Sequence, residues 1–319
     1  MSNLQNPIFT DETKAREWLE ARVWPEGPIC PHCGNADKGK ITALQGKAHR
    51  PGLYQCAECR EQFTVTVKTV FERSKIPLTK WLAALFLMTA SKKGISAHQA
   101  HRMLGISYKS TWFLMHHLRE AMRTGGLEPL GGLGKVVEAD ETYFGNIPEA
   151  KKRKKTTRGR AYTKGGRSGP SNKRAIIALV ERGGRVRTFH PAMADGLTVT
   201  TIVRENIARE TRLHTDESIL YKKVGPEFAA HETVNHTAKE YVRGDVTTNT
   251  VEAYFSRFKR GMRGIYQHCS EKHLHRYLAE FDFRHNNRIA LGVTDRERAE
   301  NLAQGIVGKR LTYRRPHQA

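Results

Sequence analysis

Two cysteine pairs, "CPHC" at 30–33 and "CAEC" at 56–59, constrain what this chain can fold into more than any other feature. Each pair has C-x2-C spacing, and 22 residues separate the two. Four thiolates so spaced can surround one metal ion tetrahedrally, while backbone N–H groups in each tight turn offset part of the charge. Cys30, Cys33, Cys56 and Cys59 are therefore read as ligands of a structural Zn²⁺, because four thiolates leave no open position for catalysis. His32 and His49 are nearby donors that such a site does not need. Cys269 stands alone and reads as a buried or semi-buried thiol rather than a nucleophile. Cysteines used in this way suit a reducing compartment better than disulfides would.

The charge balance narrows the partner. Lys and Arg number 54 against 32 Asp and Glu, a formal net charge of +22. A polyanion is the expected partner, since each neutralised phosphate releases counterions. The longest fully apolar run, "WLAALFLM" at 81–88, is too short to span a bilayer. The N-terminal stretch has no basic start followed by an apolar core, so no signal peptide is read and no membrane partner is expected. Together these features predict an intracellular protein. Eleven cations and no acid fall in "KKRKKTTRGRAYTKGGRSGPSNKR" (151–174). This stretch reads as a basic loop whose Lys151, Lys152, Arg153, Lys154 and Lys155 are candidate DNA contacts.

Composition divides the chain into an N-terminal helix (1–25) capped at Thr10 or Asp11, and a zinc ribbon (26–76) ending in the alternating strand pattern "QFTVTVKTVF" at 62–71. A helical domain (77–124), a glycine-rich linker (125–134), the main domain (135–295) and a basic C-terminal tail (296–319), helical at first, follow. In the helical domain, "SAHQAHRML" (96–104) and "SYKSTWFLMHHLREAMR" (107–123) flank a glycine-containing break, the layout of a helix-turn-helix. Its second helix would enter the major groove of double-stranded DNA. Tyr108, Lys109, Ser110 and Thr111 are read as the base-contacting residues, with Trp112, Leu114, Met115 and Leu118 facing the core.

In the main domain, "KVVEADETYF" (135–144) reads as a buried strand interrupted by acids, and Asp140 there needs a partner. A hairpin (173–182 and 185–193), an amphipathic helix (198–210) and a short strand (212–218) ending on Asp216 follow. That is the order of a ribonuclease-H-like mixed sheet. "NTVEAYFSRFKRG" (249–261) reads as a helix with Val251, Phe255 and Phe258, and then Met262, on one apolar stripe. Glu252 and Lys259 lie about 20° apart around that helix and roughly 10 Å apart along it. Asp140, Asp216 and Glu252 come from separate elements and cannot all stay ionised together without cations. Two divalent ions about 4 Å apart would resolve this and support phosphoryl chemistry. Oxygen-only ligands favour Mg²⁺ or Mn²⁺. Glu141, next to Asp140, would point to the other side of the strand.

The quoted stretches resemble bacterial insertion-sequence transposases with an acidic DDE triad, and within them the IS-fifteen-ninety-five, or ISXO-two-like, group. The resemblance is carried by "VVEADETYFG", "HTDES", "TVNHTAKEYVRGDVTTNTVEAYFSRFKRGMRGIYQH" and "LAEFDFRHNN", after the two cysteine pairs, and spans about residues 25–290. It implies an α+β multidomain enzyme. Its zinc ribbon and helix-turn-helix would recognise terminal inverted repeats, and its ribonuclease-H-like domain would cut DNA and join it to a target. Asp140, Asp216 and Glu252 would be the metal-holding catalytic acids, and the 35 residues between Asp216 and Glu252 match the spacing of such triads. Lys259 would hold phosphate beside the site, with Arg260 and Arg263 as further DNA contacts. Members of the group are described with Asn or Glu as third member, so Asn249, about 60° around the helix from Glu252, is the alternative. His236 is a further candidate for the site. Chemistry on two DNA ends implies a homodimer or higher oligomer in the active complex. A non-catalytic DNA-binding regulator and a structure-specific nuclease on the same fold are the rival readings.

Overall fold

The chain builds one unit from two separated stretches and a second from the sequence between them. The computed structural model describes residues 5–125, 127–146 and 173–312. Met1–Gly125 and Asn287–Ala319 form the first unit, and Gly126–Asn286 the second.

Helix α1 (Glu12–Val23) opens the first unit, with Asp11 accepting the N–H groups of Thr13 and Lys14 at 2.7 and 3.2 Å. Ala15 and Leu19 bury its inner face. A three-stranded antiparallel meander follows: β1 (Ile41–Leu44), β2 (Leu53–Cys56) and β3 (Gln62–Phe63). Phe63 is buried between Tyr54, stacked at 5.8 Å, and Trp24, edge-on at 5.7 Å. The strand expected over 62–71 stops at Phe63. The Thr64 and Thr66 hydroxyls bond each other, and the Thr69 hydroxyl donates to the Thr66 carbonyl while accepting the Phe71 N–H. Lys68 lies in the left-handed region at φ +54°. The threonines supply turn bonds in place of a sheet ladder, and Val65, Val70 and Phe71 are all buried.

Helix α2 (Leu78–Ala90) takes its cap from α1: the Glu12 carboxylate accepts the N–H groups of Leu78 and Thr79 at 3.0 and 2.9 Å. Helix α3 (Ala97–Leu104) is opened by Ser96 and closed by Gly105 at φ +66°, a conformation glycine adopts without steric cost. Two residues later Ser107 opens α4 (Tyr108–Met122) by accepting the Ser110 N–H. Leu114, Met115 and Leu118 are buried as expected, and Trp112 half-buried. Thr111 is also buried, its hydroxyl donating to the Ser107 carbonyl at 3.0 Å, which removes it from the expected base-reading face.

The second unit is built on a five-stranded sheet. The central strand β4 (Val136–Asn146) pairs antiparallel with β5 (Lys173–Glu181), which pairs antiparallel with β6 (Val186–Phe189). Helix α5 (Gly196–Asn206) leads to β7 (Arg212–Asp216), parallel to β4, and β8 (Ala230–Val234) adds parallel to β7. The order is β6-β5-β4-β7-β8. A small ribbon, β9 (Val242–Arg243) with β10 (Val246–Thr247), leads into α6 (Asn249–Gly261), and α7 (Glu271–Asn286) follows. Alternation sorts β4 into two faces. Val137 and Ala139 pack with Val199 and Val203 of α5. Asp140 and Thr142 stand opposite Ala178 and Ile176, which pack with α6 and α7.

The last helix, α8 (Asp295–Gln304), starts at a reciprocal Thr294–Glu297 capping box and completes the first unit. Its Arg298 donates to the Thr89 carbonyl at the end of α2 (2.8 Å), and Glu300 pairs with Arg22 of α1 (2.8 Å).

Candidate active site

The apolar stripe of α6 decides where its polar flank goes. Val251, Tyr254, Phe255, Phe258 and Met262 are buried against Ile176, Ala178 and Val180 of β5. That seating carries Glu252 and Lys259 over the face of β4 that presents Asp140. The parallel register sets Glu138 beside His214, so two residues further along each strand Asp216 comes abreast of Asp140. A cavity of about 660 Å³ is lined by Asp140, Thr142 and Glu252 together with Lys259, Arg260 and Arg263, and Phe255 and Ser256 complete much of its wall.

Electrostatics join the groups that the backbone brings together. Burial first, and then the charges of Glu141, Asp216 and Glu252, push the Asp140 carboxyl well above the usual carboxylate range. The Glu141 N–H bond to Asp140 Oδ1, 2.7 Å, opposes that shift without cancelling it. Burial lowers the Lys259 ammonium, and the nearby Asp140 charge works the other way. Asp216 accepts the Ser218 N–H at 3.0 Å, turning the chain out of β7.

His236 reaches this cluster. Its Nε2 lies 3.2 Å from Thr248 Oγ1 and 3.5 Å from Glu252 Oε1. The Thr248 hydroxyl donates to Glu252 Oε1 at 3.0 Å. Glu217 holds the turn that carries His236 by accepting the N–H groups of His236 and Thr237 and the Thr237 hydroxyl. That hydroxyl is the largest cause of a Glu217 pKa of about 2. Asn249 is exposed at the first residue of α6 and is absent from the residues that line the cavity.

Sequence reasoning set one further acid, Glu141, aside as a weaker candidate and passed over a second. Glu141 lies on the face of β4 opposite Asp140, yet accepts the Tyr221 hydroxyl at 3.1 Å and the Ser218 hydroxyl at 3.4 Å, in the loop after Asp216. Burial and the Asp216 charge raise its pKa. The only sequence signal was its position next to Asp140. Glu138, two residues before Asp140, is fully buried beneath the start of α6.

In the first unit, the Sγ atoms of Cys30, Cys33, Cys56 and Cys59 all lie within 4.8 Å of one another. Cys30–Cys59 and Cys33–Cys56 are 3.6 and 3.7 Å apart, close to the roughly 3.8 Å edge of a tetrahedron with 2.3 Å Zn–S bonds. Each knuckle closes with a left-handed residue, Gly34 (φ +80°) after the first pair and Arg60 (φ +62°) after the second. Their N–H groups donate to the carbonyls of Cys30 and Cys56. The four cysteines fit Zn²⁺, with neither His32 nor His49 in the group.

The model of the ISXO2-like transposase domain matches residues 129–286, and that of the transposase zinc-ribbon domain residues 10–62. This chain belongs to the ISXO2-like transposase family. It is also similar to an uncharacterised protein in transposable element ISH50 of Halobacterium salinarum, 27% identical over 282 residues, covering 86% of this chain and 91% of the relative.

Tyr108 is 40% exposed and stacks on His98 with ring centroids 4.3 Å apart. Lys109 beside it is exposed, and Ser110 half-buried, its hydroxyl accepting from Ser107. Arg260 and Arg263 are exposed along the cavity. Lys151, Lys152, Arg153, Lys154 and Lys155 lie outside the described residues. Among the described residues no helix is long and apolar enough to cross a membrane.

Proposed function

We propose that the protein is the DNA transposase of an insertion sequence. It binds the terminal inverted repeats, hydrolyses a phosphodiester at each element end, and transfers the resulting 3′-hydroxyl to target DNA. One observation carries this reading: Asp140 and Glu252 share a cavity with Lys259, Arg260 and Arg263, and the charges of Asp216 and Glu252 both act on Asp140. An acidic wall and a basic wall suit a phosphodiester whose scissile phosphorus must approach carboxylates despite its own charge. The sheet order supports a ribonuclease-H-like assignment for the second unit. The pair α3 and α4, with its glycine turn, supports a helix-turn-helix.

Asp140, Asp216 and Glu252 offer only oxygen donors, and their mutual charge raises Asp140, so the set fits a hard divalent cation. They would hold two Mg²⁺ or Mn²⁺ ions, which when bound activate an attacking oxygen and stabilise a leaving one. The chain's own residues prepare that site. Lys259 sits beside Asp140 and takes the phosphate, with Arg260 and Arg263 continuing the contact along the strand. The Thr248 hydroxyl donates to Glu252, so it accepts from His236. His236 thereby carries its proton on Nε2 and steadies Glu252 from behind.

In the same reading, the zinc ribbon and the helical domain bind the element ends, with Tyr108, Lys109 and Ser110 at the groove. The basic segment with Lys151, Lys152, Arg153, Lys154 and Lys155 adds phosphate contacts. A homodimer or larger assembly, in the nucleoid-containing cytoplasm, brings two ends together.

The test is a strand-transfer assay in Mg²⁺ on DNA carrying the element's ends, comparing wild type, Glu252→Ala and Asn249→Ala. Joined products lost only in Glu252→Ala support the reading. Cleavage without joining favours a nuclease, and end binding with no chemistry in wild type favours a regulator. Loss in Asn249→Ala alone moves the third ligand to Asn249.

A further inference from the structure

Glu138 has no exposed surface and, two residues from Asp140, faces the same side of β4. Its oxygens are fully engaged. Oε2 accepts the N–H groups of Thr250 and Val251 at 2.7 and 3.0 Å. Oε1 accepts the Thr250 hydroxyl at 2.9 Å, and Nε and Nη2 of Arg182 at 3.1 and 2.8 Å. Helix α6 is therefore capped by a strand carboxylate. Thr248, the residue placed to cap it, makes no capping bond, because its hydroxyl is turned to Glu252.

Arg182 extends the hold. Its Nη1 donates to the Asp245 carbonyl at 2.9 Å and its Nη2 to the Thr247 carbonyl at 3.3 Å. Nη2 also lies 3.3 Å from Nδ1 of the buried His214. The carbonyls entering α6 and the first N–H groups within it thus converge on one ion pair, rooted in the strand that carries Asp140.

We propose that the Glu138–Arg182 pair is a clamp that sets the position of Glu252 relative to Asp140, and that Glu138 is a positioning residue for the metal site. The proposal rests on the reading of Asp140, Asp216 and Glu252 as metal ligands. Glu138 touches none of those three side chains in the hydrogen-bond network. It acts through the first turn of α6, where a shift of a fraction of an ångström moves Glu252, two residues on, by a similar amount. A glutamine at this position keeps the volume but turns an NH2 group towards either Arg182 or the α6 N–H groups, so one side of the clamp opens.

The test uses the zinc-loaded full-length protein and the loss of the free Mn²⁺ paramagnetic resonance signal on binding. In Glu138→Gln the Mn²⁺ dissociation constant is expected to rise about tenfold, the lower end of the effect of losing a supporting partner at a metal site. Half-saturating Mg²⁺ for cleavage should rise by the same factor, with the affinity for end DNA close to wild type. A lowered melting temperature with unchanged Mn²⁺ affinity makes Glu138 merely structural and overturns the proposal. If Glu138→Gln does not fold, Thr250→Val, which removes one hydroxyl bond from the clamp, is expected to weaken Mn²⁺ binding about threefold; an unchanged affinity there overturns it too. Wild type that binds no Mn²⁺ at the acids also overturns the clamp. Wild type that binds Mn²⁺ with an affinity that depends on Glu138 but neither cleaves nor joins DNA leaves the clamp standing and removes the transposase reading.

Discussion

Asp282 is half-buried, its carboxylate accepting the Tyr254 hydroxyl and the N–H and hydroxyl of Thr188 at 2.6, 2.9 and 2.8 Å. Burial outweighs those bonds and pushes its carboxyl up to about 6. Its folded pKa thus exceeds the unfolded one. The stability it contributes is complete below pH about 4 and is lost as pH rises through about 6. The loss amounts to roughly 3 kcal/mol, about two pKa units. In urea unfolding, wild type should gain on Asp282→Asn by about 2–3 kcal/mol when pH is lowered from 7.5 to 4; a gap that does not move with pH would sink this account. The acids of the site divide by a different rule. Glu252 lines the cavity and Asn249 does not, so Glu252→Ala should lower strand cleavage at least about a hundredfold and Asn249→Ala less than about threefold. That Asp140, Asp216 and Glu252 come near one another was legible, because the order of strands and the helical stripe of 249–261 place them at neighbouring strand ends and on the packed helix. Glu138 and Glu141 were not legible. Their roles depend on what another element places against them, the first turn of α6 for one and the loop after Asp216 for the other.

Helix α6 was readable from sequence because its stripe of Val251, Phe255 and Phe258 matches the helical period and finds the buried surface it needs. The segment 62–71 carried an equally regular pattern and folded as turns, since side-chain hydroxyls close enough to bond the backbone offer an alternative to a ladder. The short β8, β9 and β10 carried no pattern of useful length, and β9 is wholly exposed. The ribbon's second knuckle turns on Arg60 at φ +62°, where the first uses Gly34. Arg60→Gly removes a left-handed strain that a side chain incurs, and should stabilise the zinc-bound protein by up to about 1 kcal/mol in chemical denaturation. The strands β1 to β3 are short and enclose a small core in which Ile41 and Phe63 pack with Cys30 and Cys56 themselves, so the metal supplies much of their stability. Chelation should release one zinc per chain, measurable with a colorimetric indicator, and abolish end binding as the ribbon melts. Retained end binding by the zinc-free protein would contradict this.

Across the whole molecule the excess of 22 positive charges is uneven, with eleven cations in 151–174. Replacing Lys151, Lys152, Arg153, Lys154 and Lys155 by Ser should weaken binding to all DNA sequences alike and flatten the plot of log affinity against log salt by as much as about 4.5. An unchanged slope would free that segment of any phosphate contact. Cysteine spacing made the ribbon legible at this scale and charge pointed to a polyanionic partner, but nothing in composition announced that the first unit is discontinuous. Lys309, from the far end of the chain, donates to the Ala121 carbonyl at 2.7 Å and so closes the end of α4, while Arg298 does the same for Thr89 at the end of α2. These closing residues emerge from the ribosome only after all of Gly126–Asn286 has been synthesised. The unit begun first is finished last, and a nascent chain therefore holds Asp140, Asp216 and Glu252 before its N-terminal helices have their final supports.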